Sequence, residues 1–336
     1  MNTAREYHAA SVLQNGKVLV TGGYNSYSYL NSAELYDPTT GNWTATGNMN
    51  VVRYYHTASV LQNGIVLVTG GGNNDNTFNS TELYDSETGN WTNTGSMNDA
   101  RYSHTACVLE NGTVLVTGGQ NKDGELNSAE LYDPATDNWT TTENMSVARY
   151  SHTASVLGNG KVLVTGGSND DGELNSAELY DPKTSNWTTT GSMNDARYSH
   201  TASVLENGTV LVTGGYNNYG ELNSVELYDP NTGNWATTGN MNVARAYHTA
   251  SVLKNGAVLV TGGWSSDSIL NSAELYDLAT GNWTTIAHMS VTREYHTASV
   301  LENGIVVVTG GQTDEGSSAF GYSYDVDIVL NSAELY

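Results

Sequence analysis

An all-β chain folded as a seven-bladed propeller is what this sequence predicts, and three observations predict it. A short run, Val18-Leu19-Val20-Thr21-Gly22-Gly23, returns nearly unchanged at 66–71, 114–119, 162–167, 210–215, 258–263 and 306–311, always 48 residues apart. Each unit reads as four short β-type segments separated by turn-forming residues, and helical periodicity is absent throughout. A repeat of this length means a solenoid, a propeller or an array, and four antiparallel strands per repeat describe a propeller blade. The blades of this single domain fall at 1–48, 49–96, 97–144, 145–192, 193–240, 241–288 and 289–336.

The first unit sets the order of elements. Residues 8–13 form strand A. Asn15-Gly16 follows, and it is kept in all seven units; the pair predicts a two-residue type I′ hairpin, in which both central residues take positive φ. Strand B, 17–21, is apolar on both faces, which predicts burial on both. Its closing glycine pair predicts special φ/ψ or a close backbone approach. A variable loop over 24–30 leads to strand C at 31–36. Residues 37–42, Asp-Pro-Thr-Thr-Gly-Asn, have turn composition. Strand D opens on Trp43, and a linker over 47–52 leads to the next unit.

Arg-x-x-His, an apolar run ending Gly-Gly, then Glu-Leu-Tyr-Asp and Trp together resemble the kelch repeat, over the whole chain and seven times. The resemblance implies a kelch-type propeller of four-stranded antiparallel blades. The family contains many protein-binding propellers and a few enzymes, so the fold does not by itself decide activity.

The charge is lopsided: 35 Asp and Glu against 12 Lys and Arg. Such a surface repels phosphate, so nucleic acid and anionic membrane are poor partners. No apolar run reaches the ~20 residues of a membrane span, and the N-terminus has neither the basic start nor the apolar stretch of a signal peptide. All seven arginines share one repeat position (Arg5, Arg53, Arg101, Arg149, Arg197, Arg245 and Arg293), and a glutamate recurs at Glu34, Glu82, Glu130, Glu178, Glu226, Glu274 and Glu334. Charges at regular sheet positions require pairing. An internal Arg–Glu network is therefore expected, with some guanidinium groups also facing a ligand. The tryptophans at 43, 91, 139, 187, 235 and 283 suit packing between blades, where such a ring buries roughly 150–250 Å².

Catalytic and metal chemistry find little support. Galactose-oxidase-type enzymes, which the resemblance brings in, carry copper on a kelch propeller with Tyr, His and a Cys–Tyr crosslink. Tyr7-His8, Tyr55-His56, Tyr247-His248, Tyr295-His296 and the single Cys107 are the matching residue types. These histidines follow the repeat instead of converging on one point, and Cys107 stands where Ser59 and Ser155 stand. With no triad and no phosphate-cradling loop, the expectation is no catalytic residue, no metal, no cofactor and no enzymatic activity. Residues 169–173 resemble a calcium loop only faintly and read as a hairpin turn. Asn-Trp-Thr at 42, 90, 138, 186 and 282 meets the N-glycosylation sequon, at positions expected to be shielded by the buried tryptophan.

Recognition is expected where the repeats disagree. In an up-and-down meander the B–C loops and D–A linkers emerge on one face, and this face carries the variation. The candidate partner-binding set is the arginine ring framed by Tyr24, Tyr54, Tyr102, Tyr150, Tyr198, Tyr216, Trp264 and Tyr322. Tyr and Trp on rigidly held loops give large contact area at low entropy cost. The expected function is a binding or scaffold module with a protein partner of basic or mixed charge; a glycan is the alternative partner, and a copper oxidase the third reading. In the last unit the B–C loop, 312–329, is about twelve residues longer than elsewhere, with apolar residues at alternate positions from Phe320 to Leu330. The chain then stops after strand C, so the last blade is expected to lack its outer strand unless the insert supplies it.

Overall fold

The computed structural model describes residues 1–266, 268–314 and 327–336. Seven antiparallel sheets form a ring. Blade 1 comprises Ala9–Val12, Val18–Thr21, Ala33–Asp37 and Asn42–Ala45, strands A to D in spatial order. Its register sets Ala9 opposite Thr21, Val18 opposite Tyr36, and Tyr36 opposite Trp43. Strand A is innermost, since neighbouring A strands meet around the axis, those of blades 1 and 7 included.

Strand B is buried on both faces because each face meets a different blade. Leu19 and Ala33 pack against Val66 and Tyr84 of blade 2. Val18, Val20 and Tyr36 pack the other way, against Leu301 and Val307 of blade 7. The glycine pair is the clasp between blades. Gly22 and Gly23 have φ of 60° and 95°, and the Gly23 N–H donates to the Arg53 carbonyl at 2.9 Å. Gly311 does the same to Arg5, closing the ring.

The A–B turn differs from its expected form. Leu13 N–H donates to the Lys17 carbonyl and Gly16 N–H to that of Leu13, and Gly16 takes positive φ, whereas Asn15 does not. This is a three-residue loop, a type I turn followed by a left-handed glycine. Asn15 instead uses Oδ1 to accept from Lys17 N–H.

Residues 169–173 do form a hairpin, between Ser168–Asn169 and Gly172–Glu173. The last blade has three strands, Thr297–Val300, Val306–Thr309 and Ala333–Leu335. The described ends of the insert, Gln312–Asp314 and Asp327–Val329, pair with each other as a separate ribbon and add nothing to the blade. The alternating stretch from Phe320 to Val326, Tyr322 included, lies outside the described residues. Among the described residues no helix is long and apolar enough to cross a membrane.

Candidate functional site

The repeated charges settle into the body of the blade. Each arginine is fully buried. Arg53 Nη1 donates to the Gly70 and Ser80 carbonyls at 2.7 and 3.0 Å, and Nη2 reaches Glu82 Oε1 at 2.8 Å. The same carboxylate accepts the backbone N–H of Asn50 and Val51, which tethers the incoming linker. In blade 1, burial alone would raise the Glu34 carboxyl. Hydrogen bonds from Asn2, Arg5 and Thr3 outweigh it and hold the group below its ordinary value. The expected Arg–Glu network is therefore present in every blade. The seven arginines are accordingly withdrawn from the partner-contacting set: none of Arg5, Arg53, Arg101, Arg149, Arg197, Arg245 and Arg293 reaches the surface.

The histidines serve the joints between blades. His56 Nε2 lies 2.9 Å from Thr21 Oγ1 of blade 1, and His104 Nε2 lies 3.0 Å from Thr69 Oγ1 of blade 2. Burial first, then the arginine charges nearby, push His56, His200 and His296 down to about 3, so their rings are neutral. Burial pushes the Cys107 thiol up to about 12. Among the described residues no three His, Cys, Asp or Glu side chains converge as a metal site. With each imidazole hydrogen-bonded to threonine of the preceding blade, these donors do not fit a copper centre.

The residue before each histidine builds the mouth of the channel. Tyr7, Tyr55, Ser103, Ser151, Ser199, Tyr247 and Tyr295 all take positive φ, between 49° and 56°. That conformation is an outlier for bulky residues and persists only where the surroundings over-determine it. Here a backbone relay does so: Tyr55 N–H donates to Tyr7 O, Ser103 to Tyr55, Ser151 to Ser103, and so on to Tyr295. Three serines flank one arc of the ring and four tyrosines the other. The Tyr7 ring lies 4.3 Å from both Tyr55 and Tyr295. The serine arc opens a hollow of about 300 Å³ with Tyr55, Tyr247 and Tyr295 at its sides.

Around this mouth stand the candidate residues. Tyr54, Tyr102, Tyr150 and Tyr198 each bridge to the first residue of their own B–C loop, as Glu6 does to Tyr24 and Ala246 to Trp264. Tyr198 and Tyr216 meet edge to face at 5.7 Å. All seven aromatic residues are half-buried. Sequence reasoning missed the inner ring and the hairpin tips: Tyr27 and Tyr219 are 93% and 98% exposed. The signal for the ring was the Tyr/Ser alternation beside an unvarying histidine; for the tips it was an aromatic residue at the centre of a variable loop.

Two further expectations change at the rim. The strand D tryptophans are half-buried, because strand D is the outer edge of each blade. The asparagines at 42, 90, 138, 186 and 282 are correspondingly exposed, not shielded.

Comparison with known proteins follows this geometry. A family model described as the KLHDC2/KLHL20/DRC7 Kelch-repeats domain matches residues 55–236 and 151–329, and a Kelch motif matches 7–50. A fungal alcohol oxidase of the AA5 family, in complex with copper, superposes with a TM-score of 0.76 at 22% identity, over 92% of this chain and 70% of its own. The structure of YjhT superposes with a TM-score of 0.67 at 17% identity, over 85% of this chain and 98% of its own. No curated protein matches significantly. At these identities the likeness is one of fold. It corrects the expectation that the chain is not an enzyme: a copper alcohol oxidase uses this same propeller, so the fold hosts catalysis as well as binding.

Proposed function

Since the chain belongs to the kelch-repeat family, whose propellers commonly act in protein interaction, we propose that it binds a protein partner through the face bearing the B–C loops. The partner presents a basic or mixed-charge surface. The observation that carries this reading is the set of exposed and half-buried aromatic residues on this face. Tyr27 and Tyr219 stand almost fully exposed on the B–C hairpins, with Tyr24, Tyr54, Tyr102, Tyr150, Tyr198, Tyr216 and Trp264 half-buried behind them. Asp75, Asp123, Asp170 and Asp171 are interspersed on the same loops, and Lys122 is their one lysine. Lys17, Lys161, Lys183 and Lys254 belong to the A–B and C–D turns of the opposite face. Exposed aromatic anchors rimmed by mainly negative charge are the composition of a recognition surface, the aromatics giving affinity and the charge giving steering.

The test compares two double variants. Tyr27→Ser with Tyr219→Ser alters the B–C face; Lys17→Ala with Lys183→Ala alters the other. The immobilised chain is expected to capture a partner at low salt and release it as salt screens the charges. The B–C variant should lose that partner and the control should keep it. Capture unaffected by the tyrosine changes, or lost equally with the lysine changes, would remove this face from consideration.

A further inference from the structure

A second hollow on the B–C face lies away from the channel. It is a cleft of about 570 Å³ between blades 2 and 3, walled by Tyr54 and Tyr102 and by loops 72–77, 98–100 and 121–123. One residue accounts for its position. The first residue of the B–C loop is Tyr24, Gln120, Ser168, Tyr216, Trp264 or Gln312 in the other six blades, and Gly72 in blade 2. Blade 1 folds its loop the same way, with Asn25 Oδ1 accepting from Tyr27 and Ser28 N–H, but there the Tyr24 ring fills the space against Tyr29; Gly72 leaves that space open, and a Cβ on it would stand 2.9 Å from the Asn76 carbonyl. Blades 3 to 6 instead raise a two-residue ribbon at this point.

The walls are fixed in advance. Asn73 Oδ1 accepts the N–H groups of Asp75 and Asn76 at 3.0 and 2.9 Å, holding the loop in a tight turn. Asn121 Nδ2 donates to the Ala100 carbonyl at 3.0 Å, tying the blade 3 hairpin to its linker. Asp99 Oδ2 accepts from Ser128 Oγ at 2.6 Å. Tyr54 is held by rings on two sides, Tyr29 and Tyr55, each at 4.9 Å. Sites built this way lose little freedom on binding.

The lining chemistry is narrow. Two phenol rings offer flat apolar faces and hydroxyls. Asn76 offers a whole amide, while Asn73 and Asn74 keep their amide N–H groups and Asn98 its oxygen beside the bonds they already make. Asp75, Asp99 and Asp123 accept hydrogen bonds and repel anions, with Lys122 the one cation. The volume falls within the ~300–1,000 Å³ of small-molecule sites. A ligand suited to this lining has flat C–H faces, many hydroxyls at its edge and no negative charge.

We propose that the cleft between blades 2 and 3 binds a neutral oligosaccharide, with Tyr102 and Tyr54 stacking on sugar faces and the asparagines bonding the hydroxyls. The cleft shares Tyr54 and Tyr102 with the partner-binding face, but sugar binding is read without any partner and does not depend on that reading.

The experiment titrates the full chain with maltotriose, cellotriose, xylotriose and chitotriose, and with trigalacturonate as the acidic probe, followed by calorimetry and by saturation-transfer NMR. At least one neutral trisaccharide is expected to bind saturably, and the acidic one more weakly. Tyr102→Ser and Asn76→Leu should each weaken binding about tenfold or more. Gly72→Gln, which installs the side chain of blade 3, should abolish it. Thermal melting certifies each fold, and Asn76→Leu, in an exposed loop, keeps the test decisive if Gly72→Gln unfolds. Absence of binding by all four neutral sugars, undiminished affinity in Asn76→Leu, or equal binding of trigalacturonate overturns the proposal.

Discussion

A methyl group added at Gly166 would sit 2.5 Å from the Arg197 carbonyl and 2.6 Å from the His200 ring, at a φ of +61°. Neither neighbour can retreat, since the carbonyl accepts from Gly167 N–H and the histidine is wedged beside Thr165. Gly166→Ala therefore adds steric overlap to left-handed strain and should cost about 3 kcal/mol or more. Gly158 makes the control: its φ is not positive and nothing lies within 4 Å of its would-be Cβ. Gly158→Ala should be neutral or stabilising by about 0.5 kcal/mol. Urea titration of the two variants checks both; equal midpoints would refute the clasp. The sequence already marked Gly166 as special. It did not show that the partner is the backbone of the next arginine, 31 residues on in the neighbouring blade.

At the scale of the element, strand D decides how firmly a blade grips its neighbour. Trp235 stacks on Tyr228 at 5.1 Å and donates Nε1–H to the Gly191 carbonyl of the preceding blade at 2.7 Å. Tyr228 reaches Thr190 of that blade at 2.9 Å. Blade 4 departs from this pattern. Trp187 packs on Tyr180 at the same 5.1 Å, but Trp187 Nε1 has no hydrogen-bond partner among the described residues. Glu143 stands here where Gly47, Gly95, Gly191 and Gly239 stand at the other joints, and at those glycines a Cβ would lie 2.2–2.4 Å from a carbonyl of the next blade, so the close approach that lets the tryptophan reach the acceptor is not available. Half-buried as it is, Trp235→Ala should cost about 2–3 kcal/mol, below the usual range for a core tryptophan. Trp187→Ala should cost about 1 kcal/mol less, the net worth of one hydrogen bond. Chemical denaturation reads the difference, and a larger loss at Trp187 would contradict it. The tryptophans were legible in the sequence as packing residues. Their half exposure was not, because it follows from which strand lies outermost.

The whole ring responds to acid as a unit. An unfolded histidine takes its proton near 6.5, whereas buried His56, His200 and His296 hold out to about 3. His8, His104, His152 and His248 are lowered in the same direction by the same burial and arginine charges. As pH falls below about 6.5 the unfolded chain gains protons that the fold refuses, so stability drops with each step down. Glu34 and Glu334, held below their ordinary value by backbone and arginine donors that outweigh burial, add to the loss at the acid end. The melting temperature should be flat between about pH 7 and 8 and fall steadily from about 6.5 toward 3. Replacing His152 and His200 by Gln should flatten that slope. A melting temperature independent of pH between 4 and 7 would contradict neutral, buried histidines.

The sequence by itself determined the number of blades, the strand order and the pairing of arginine with glutamate. Each is written in the 48-residue period, and a repeated unit admits few ways to bury two apolar faces. It also marked the variable face, because positions free of packing are free to differ. Only the tertiary structure decided that the arginines are sealed inside, that the residue before each histidine rings the channel in a left-handed conformation, and that Gly72 opens a cleft beside Tyr102. These depend on contacts between repeats, where one blade's backbone sets the space left for a side chain of the next. The Val-Leu-Val-Thr-Gly-Gly run marked where each variable loop begins; what lies against its first glycine is supplied by the neighbouring blade.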